Sequence, residues 1–153
     1  DIVLMLPDTV LFRAGEATLR SEARPFIQAI GEVLIELDRH VRVEGHTDNV
    51  PISTAQFPSN WELSATRAVT VVRALAEQYG VQADHLTAGG HADSRSISDN
   101  LTPENRAKNR RVEIVVQERK TTPEPIEQAE PRTALEMFGA PPSLPPSEPA
   151  PRP

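Results

Sequence analysis

Between His40 and His46 the chain alternates, with Val41, Val43 and Gly45 on one side and His40, Arg42, Glu44 and His46 on the other. That two-residue period is the mark of a strand with one apolar face. Its end delivers Thr47 and Asp48 into a loop, 49–58, that Pro51 and Pro58 keep irregular. Ser59 with Glu62 three residues on then announces a helix by the capping-box pattern, and Gly80 is its expected stop. A half-apolar strand feeding a helix has to bury both apolar faces against a shared core, so the chain is constrained to strand and helix layers.

The remaining periodicities fill out those layers. Ile2 to Leu6 predicts a short buried strand that Pro7 ends. Leu19, Ala23, Phe26, Ile27, Ile30, Val33, Leu34 and Leu37 recur at helical steps and predict a helix of about 17 residues. Pro25 lets that helix begin no earlier than Ser21. Trp61, Ala65, Ala68, Val72, Leu75 and Tyr79 form the expected core stripe of the second helix. Leu86 to His91 predicts a third strand, in which Gly89 and Gly90 allow close backbone approach. Thr102 and Pro103 begin a short helix reaching about Arg110, and Arg111 to Glu118 predicts a last strand with Val112, Ile114 and Val116 on one face. The expected fold class is therefore α/β, a two-layer sandwich with a mixed sheet of about four strands, two long helices and one short helix.

Composition separates a domain, 1–120, from a tail, 121–153. Ten of the fifteen prolines follow Lys120, and the tail carries 2 basic against 5 acidic residues. Such a segment buries too little apolar surface to offset its ordering entropy, so a proline-rich, acidic, flexible tail is expected, with ALEMF at 134–138 as a stray apolar cluster or a one-turn docking element. Residues 1–120 carry 14 Lys plus Arg against 17 Asp plus Glu, which gives no basis for attraction to nucleic acid. Cysteine is absent, excluding disulfides and thiolate metal sites without assigning a compartment. The longest apolar run, Ile2 to Leu6, falls far short of the roughly 18 residues of a membrane span. The chain is expected to be a soluble piece of something larger, with any membrane anchor outside it.

Asn60, Ser64 and Arg67 are spaced to share one helical face, expected to lie opposite part of the apolar stripe. Arg67 offers a planar donor fork to a carboxylate, the helix start favours the same anion, and Asp48 can accept an ammonium. Together they describe a pocket for a small zwitterion. The plainer readings are Asp48 capping its own loop and Arg67 as a solvated helix charge. His40, Glu44, His46 and Asp48 share a strand face, which raises a metal site; lacking a His-Glu-x-x-His pattern, none is expected, and His46 reads as a hydrogen-bonded structural residue. Ser64, His46 and Asp48 are a formal catalytic trio, but no nucleophile elbow frames a serine, and no catalytic residue or cofactor is expected. Arg106, Lys108, Arg110 and Arg111, bracketed by Glu104 and Glu113, read as salt bridges or a local anion contact.

The stretches VEGHTDN, SNWELSATRA and LTPENRAKNRRVEI, in that order, resemble the OmpA-like peptidoglycan-binding domain over about residues 1–120. The loop VPISTAQFP and the helix start SNWELS resemble most the B subunits of flagellar stators, of MotB or PomB type. The resemblance implies a periplasmic domain that binds the diaminopimelate of the cell-wall stem peptide, Asp48 taking the ammonium and Arg67 the carboxylate, with Asn60 and Leu63 completing the pocket. It adds Thr47 and Arg110, with the neighbouring Arg111 as the competitor for the site. It further implies a homodimer, a parent protein tethered to the inner membrane beside a stator A subunit, and no enzymatic activity. The alternatives are an outer-membrane tether of OmpA or Pal type and, from a different class, a zinc hydrolase of wall fragments using His46, Asp48 and a further ligand.

Overall fold

A computed structural model describes residues 1–118 and 132–142. The chain divides into two units, Asp1–Arg119 and Lys120–Pro153. In the first, a four-stranded sheet has the order β1-β4-β2-β3, built from β1 (Ile2–Pro7), β2 (Val41–His46), β3 (Leu86–Gly90) and β4 (Arg111–Val116). β4 runs antiparallel to both neighbours, and β2 and β3 are parallel, so the sheet is mixed as expected. The parallel pair needs a crossover, which α3 (Asn60–Arg73) supplies. Short α1 (Asp8–Leu11) follows β1 directly, α2 (Arg24–Leu37) leads to β2, and α4 (Pro103–Asn109) precedes β4.

Register explains the core. Leu4 pairs with Ile114 and Ile114 with Val43; Val41 pairs with Val116 and Leu86. Of these, Val41, Val43, Ile114, Val116 and the partly buried Leu86 pack on the helix-facing side with Leu11, Phe12, Ile27, Leu34, Val71 and Leu75 in one cluster. The cap at Ser59 forms as the sequence predicts, its hydroxyl accepting from Trp61 N at 3.2 Å and pairing with Glu62. Thr102 caps α4, accepting from Asn105 N at 3.1 Å, and Pro103 occupies the first turn.

Several expectations need correction. β1 is an edge strand, not a buried one: Ile2, Val3, Leu4 and Met5 are all exposed, because only β4 pairs with it. α2 spans 14 residues, after a 3-10 turn at Ser21–Ala23. Phe26 and Val33 of its expected stripe are exposed, while Gly31 takes an inward place against Tyr79 and Leu75. In α3 the buried side carries Leu63, Ser64, Arg67, Ala68 and Val71, and Trp61 is 54% exposed. The inward face at the start of this helix is largely polar, so hydrophobic periodicity selects the wrong rotation there. A π turn, Ala74–Gln78, then shifts the phase before Gly80 ends the helix with φ +76°.

The second face of β2 is also not a solvated polar face. Glu44 and His46 on it are buried, and neither His46 ring nitrogen has a hydrogen-bond partner, against the expectation of a hydrogen-bonded residue. Burial holds the His46 pKa down to about 4, with the charge of Arg111 adding to the effect. In the second unit, α5 (Ala134–Phe138) is a single helical turn with a full capping box between Thr133 and Glu136 and with Leu135, Met137 and Phe138 exposed. The expected flexibility of the rest of the tail falls on 121–131 and 143–153, which lie outside the described residues.

Helix α3 meets β2 and β3 without intervening side chains. A Cβ on Gly45 would run into the Ser64 carbonyl, and one on Gly90 into the backbone of Ala65. Both obstacles are main chain and cannot rotate away. Gly45→Ala is expected to destabilise the domain by about 2–3 kcal/mol or more, read as a lowered midpoint in urea unfolding followed by circular dichroism.

Candidate functional site

Four elements deliver charge to one end of the sheet. Asp8 opens α1 immediately after Pro7; Asp48 follows the end of β2; Arg67 sits on α3; Arg110 lies between α4 and β4. The groups alternate in sign. Arg67 Nη1 donates to Asp8 Oδ2 at 3.3 Å, Arg110 Nε lies 3.5 Å from that same oxygen, and Arg110 Nη1 donates to Asp48 Oδ2 at 2.7 Å. Asp48 and Arg67 are thus linked through Asp8 and Arg110.

Arg67 is 3% exposed, so it is not a solvated helix charge. Its Nε donates to Glu16 O at 2.8 Å and its Nη2 to Arg13 O at 3.3 Å, and its guanidinium lies 5.1 Å from the centre of the Phe12 ring. With the bond to Asp8, three nitrogens are engaged; a guanidinium has five N–H donors, which leaves two for a ligand. Burial lowers the Arg67 pKa, the charge of Asp8 opposing it. Burial likewise raises that of Asp8, against the pull of Arg67 and then Arg110.

Asp48 combines both roles weighed for it. Its Oδ1 accepts from Val50 N at 3.0 Å, a local loop cap, while Oδ2 carries the ion pair to Arg110. Thr47 fixes this corner by donating its hydroxyl to Asp48 O at 2.9 Å and its N–H to Ala92 O at 2.8 Å. Asn60 steadies the following loop, its Nδ2 donating to Val50 O at 2.9 Å. Leu63 is buried with Ala17 and Phe57, and Ile52 packs against them.

An open cleft of about 450 Å³ runs along these groups, and Thr47, Asp48, Asn60, Leu63, Arg67 and Arg110 all line it. Arg106, read from the sequence as a salt bridge or local anion contact, lines it too, as do Asp8 and Phe12, which the sequence did not single out. Asp8 was legible only as the residue after a strand-ending proline, a position that carries no chemical signal by itself. Arg111, the competitor for Arg110, is excluded: it lies across the sheet, donating to Glu113 Oε1 at 2.6 Å. Ser64 is also outside the cleft. It is fully buried, donates to Trp61 O and accepts from Ala92 N at 3.0 Å, and so supports the strand end rather than facing a ligand. The trio Ser64, His46 and Asp48 is not assembled, because each member has different neighbours.

The cleft thus presents fixed charges of both signs beside a βαβ crossover. The chain matches the OmpA family over residues 11–110 and belongs to that family. It is 37% identical over 116 residues to Motility protein B of Bacillus subtilis, an alignment covering 75% of this chain and 44% of that protein. Among solved structures it is similar to the cell wall anchor of the T6SS from Pseudomonas aeruginosa, at 39% identity and TM-score 0.71, covering 76% of this chain and 81% of the other. It is also similar to the periplasmic domain of Helicobacter pylori MotB, at 36% identity and TM-score 0.67, covering 73% and 79%. The chain spans about half the length of the curated relatives it matches. No helix among the described residues is long and apolar enough to cross a membrane.

Because Asp8 is the carboxylate that neutralises buried Arg67, Asp8→Ala strands a charge. The expected loss is about 3–5 kcal/mol of folding stability, measured by urea unfolding. Arg110→Ala, which removes a half-exposed partner, is expected to cost less than half as much in the same assay.

Proposed function

We propose that this domain binds peptidoglycan without catalysis, through the diaminopimelate of the stem peptide, and so anchors a membrane protein to the cell wall. The observation that carries the reading is the convergence of Asp48 and Arg67, with Thr47, Asn60, Leu63 and Arg110, on one cleft. The amino acid's ammonium is taken by Asp48, whose oxygens keep accepting capacity beyond Val50 and Arg110. Its carboxylate takes the two remaining donors of Arg67. Arg106 and Arg110, at the cleft margin, add positive charge beside the anion.

The anchored machine is a flagellar motor stator in this reading, supported by the similarity to Motility protein B and to the periplasmic domain of MotB. The domain then works in the periplasm, tethered to the inner membrane by a segment outside this sequence, as a homodimer beside a stator A subunit. Two linked sites raise the effective concentration of the second binding event, so modest affinity per site suffices.

Charge-assisted contacts contribute about 1.5–3 kcal/mol each. Asp48→Ala is therefore expected to weaken co-sedimentation with purified sacculi at least tenfold while the circular dichroism spectrum stays native. Arg67→Lys keeps the charge but loses the fork, and is expected to weaken binding to a similar degree. Sacculus binding unchanged in folded Asp48→Ala would refute the assignment.

A further inference from the structure

On the sheet face turned away from α3, Glu44, His46 and His91 converge, with one potential ligand atom from each within 4.8 Å of the others. Glu44 and His46 are neighbours on one face of β2. His91 follows β3, its N–H held by Gly45 O at 3.0 Å and its carbonyl by Ser94 N at 3.0 Å, which fixes the backbone from which the ring projects. The two imidazoles stack at 5.0 Å between centroids and 24° between planes. His46 is 2% exposed with both ring nitrogens unpartnered, and His91 Nε2 is likewise buried without a partner. Native interiors rarely leave such groups unmet, and a cluster of them asks for a ligand.

Glu44 belongs to this cluster, and Glu113 lies next to it on the His46 side. Glu44 and Glu113 sit directly opposite each other on β2 and β4, a like-charge pairing that is unfavourable without compensation. Each gives one oxygen to an arginine: Arg42 Nε donates to Glu44 Oε1 at 3.1 Å, and Arg111 Nε to Glu113 Oε1 at 2.6 Å. Each turns its other oxygen to an imidazole. Glu44 Oε2 lies 3.6 Å from His91 Nε2, and Glu113 Oε2 lies 3.9 Å from His46 Nε2. Those separations are long for hydrogen bonds. The one between Glu44 and His91 approaches the roughly 3.4 Å between two ligands that each stand about 2.0–2.2 Å from one tetrahedral ion. Arg42 then acts as the outer contact that orients the ligating carboxylate.

We infer that Glu44, His46 and His91 form a site for one divalent cation of the zinc type, with Glu113 beside His46 as its neighbour. Two imidazoles and one carboxylate suit zinc better than magnesium or calcium, which prefer oxygen alone. These three protein donors come from β2 and from the residue after β3, so a bound ion braces the end of β3 against β2. Arg95 is the competitor, its Nη1 3.7 Å from Glu44 Oε2; its side chain is exposed and free to withdraw.

Isothermal titration of the metal-stripped, tag-free 153-residue chain with zinc chloride tests this. One equivalent is expected to bind with micromolar or tighter affinity, and cobalt(II) in its place is expected to give the intense visible bands of a tetrahedral site. His91→Ala, at a partly exposed position, is expected to weaken zinc at least tenfold with an unchanged circular dichroism spectrum. His85→Ala is the control, since His85 and His40 form a second imidazole pair at 4.9 Å, and it is expected to change nothing. No saturable uptake, uptake indifferent to His91→Ala, or uptake lost in His85→Ala would each overturn the inference. Sacculi are absent from the assay, so its failure is separate from failure of the tether reading.

Discussion

A guanidinium sealed from solvent must find both a counter-charge and acceptors for its N–H groups, or folding stalls on its desolvation. Arg67 meets that demand with Asp8 and the carbonyls of Arg13 and Glu16, and by doing so it binds the segment after β1 to the crossover helix. Every other feature of the cleft follows from it. Asp8 is shared with Arg110, Arg110 reaches Asp48, and Asp48 holds the start of the loop after β2. Removing any one charge leaves its neighbours with the wrong partners.

The same network limits what the cleft can recognise. Since Arg67 already spends most of its donors within the protein, a ligand carboxylate meets a guanidinium fixed in orientation rather than a mobile side chain. That arrangement lowers the ordering cost on binding. Asp48, steadied by Val50 and Arg110, is preorganised in the same way. In the proposed reading the result suits a ligand bearing opposite charges at a set separation, one end for Asp48 and the other for Arg67.

Much of the fold was legible because strands and caps leave local signatures. The alternation of β2 and β4, the capping serine and threonine, the proline at the start of α4 and the glycine after α3 each act within a few residues. What was misread depended on partners distant in sequence. The exposure of β1 follows from its place at the sheet edge, which no window of six residues reveals. The rotation of α3 was misjudged because Ser64 and Arg67 are buried by contacts to Ala92, Asp8, Glu16 and Arg13 rather than by hydrophobicity. The residues named from motif resemblance line one cleft together, whereas Asp8 needed the three-dimensional pairing. Arg110, at the end of α4, lines the cleft, whereas Arg111, the first residue of β4, pairs with Glu113 instead.

Gly45 and Gly90 put the main chain of the sheet in direct touch with the main chain of α3. Elsewhere in the domain the spacing between layers is set by side-chain bulk, which drifts as residues are exchanged. At this end it is set by contact between main chains, which substitutions other than at Gly45 and Gly90 leave in place. The gauge between Asp48 on the strand side and Arg67 on the helix side is therefore insulated from turnover in the interior, and pulling on the domain has no soft padding there to compress before the grip itself is strained.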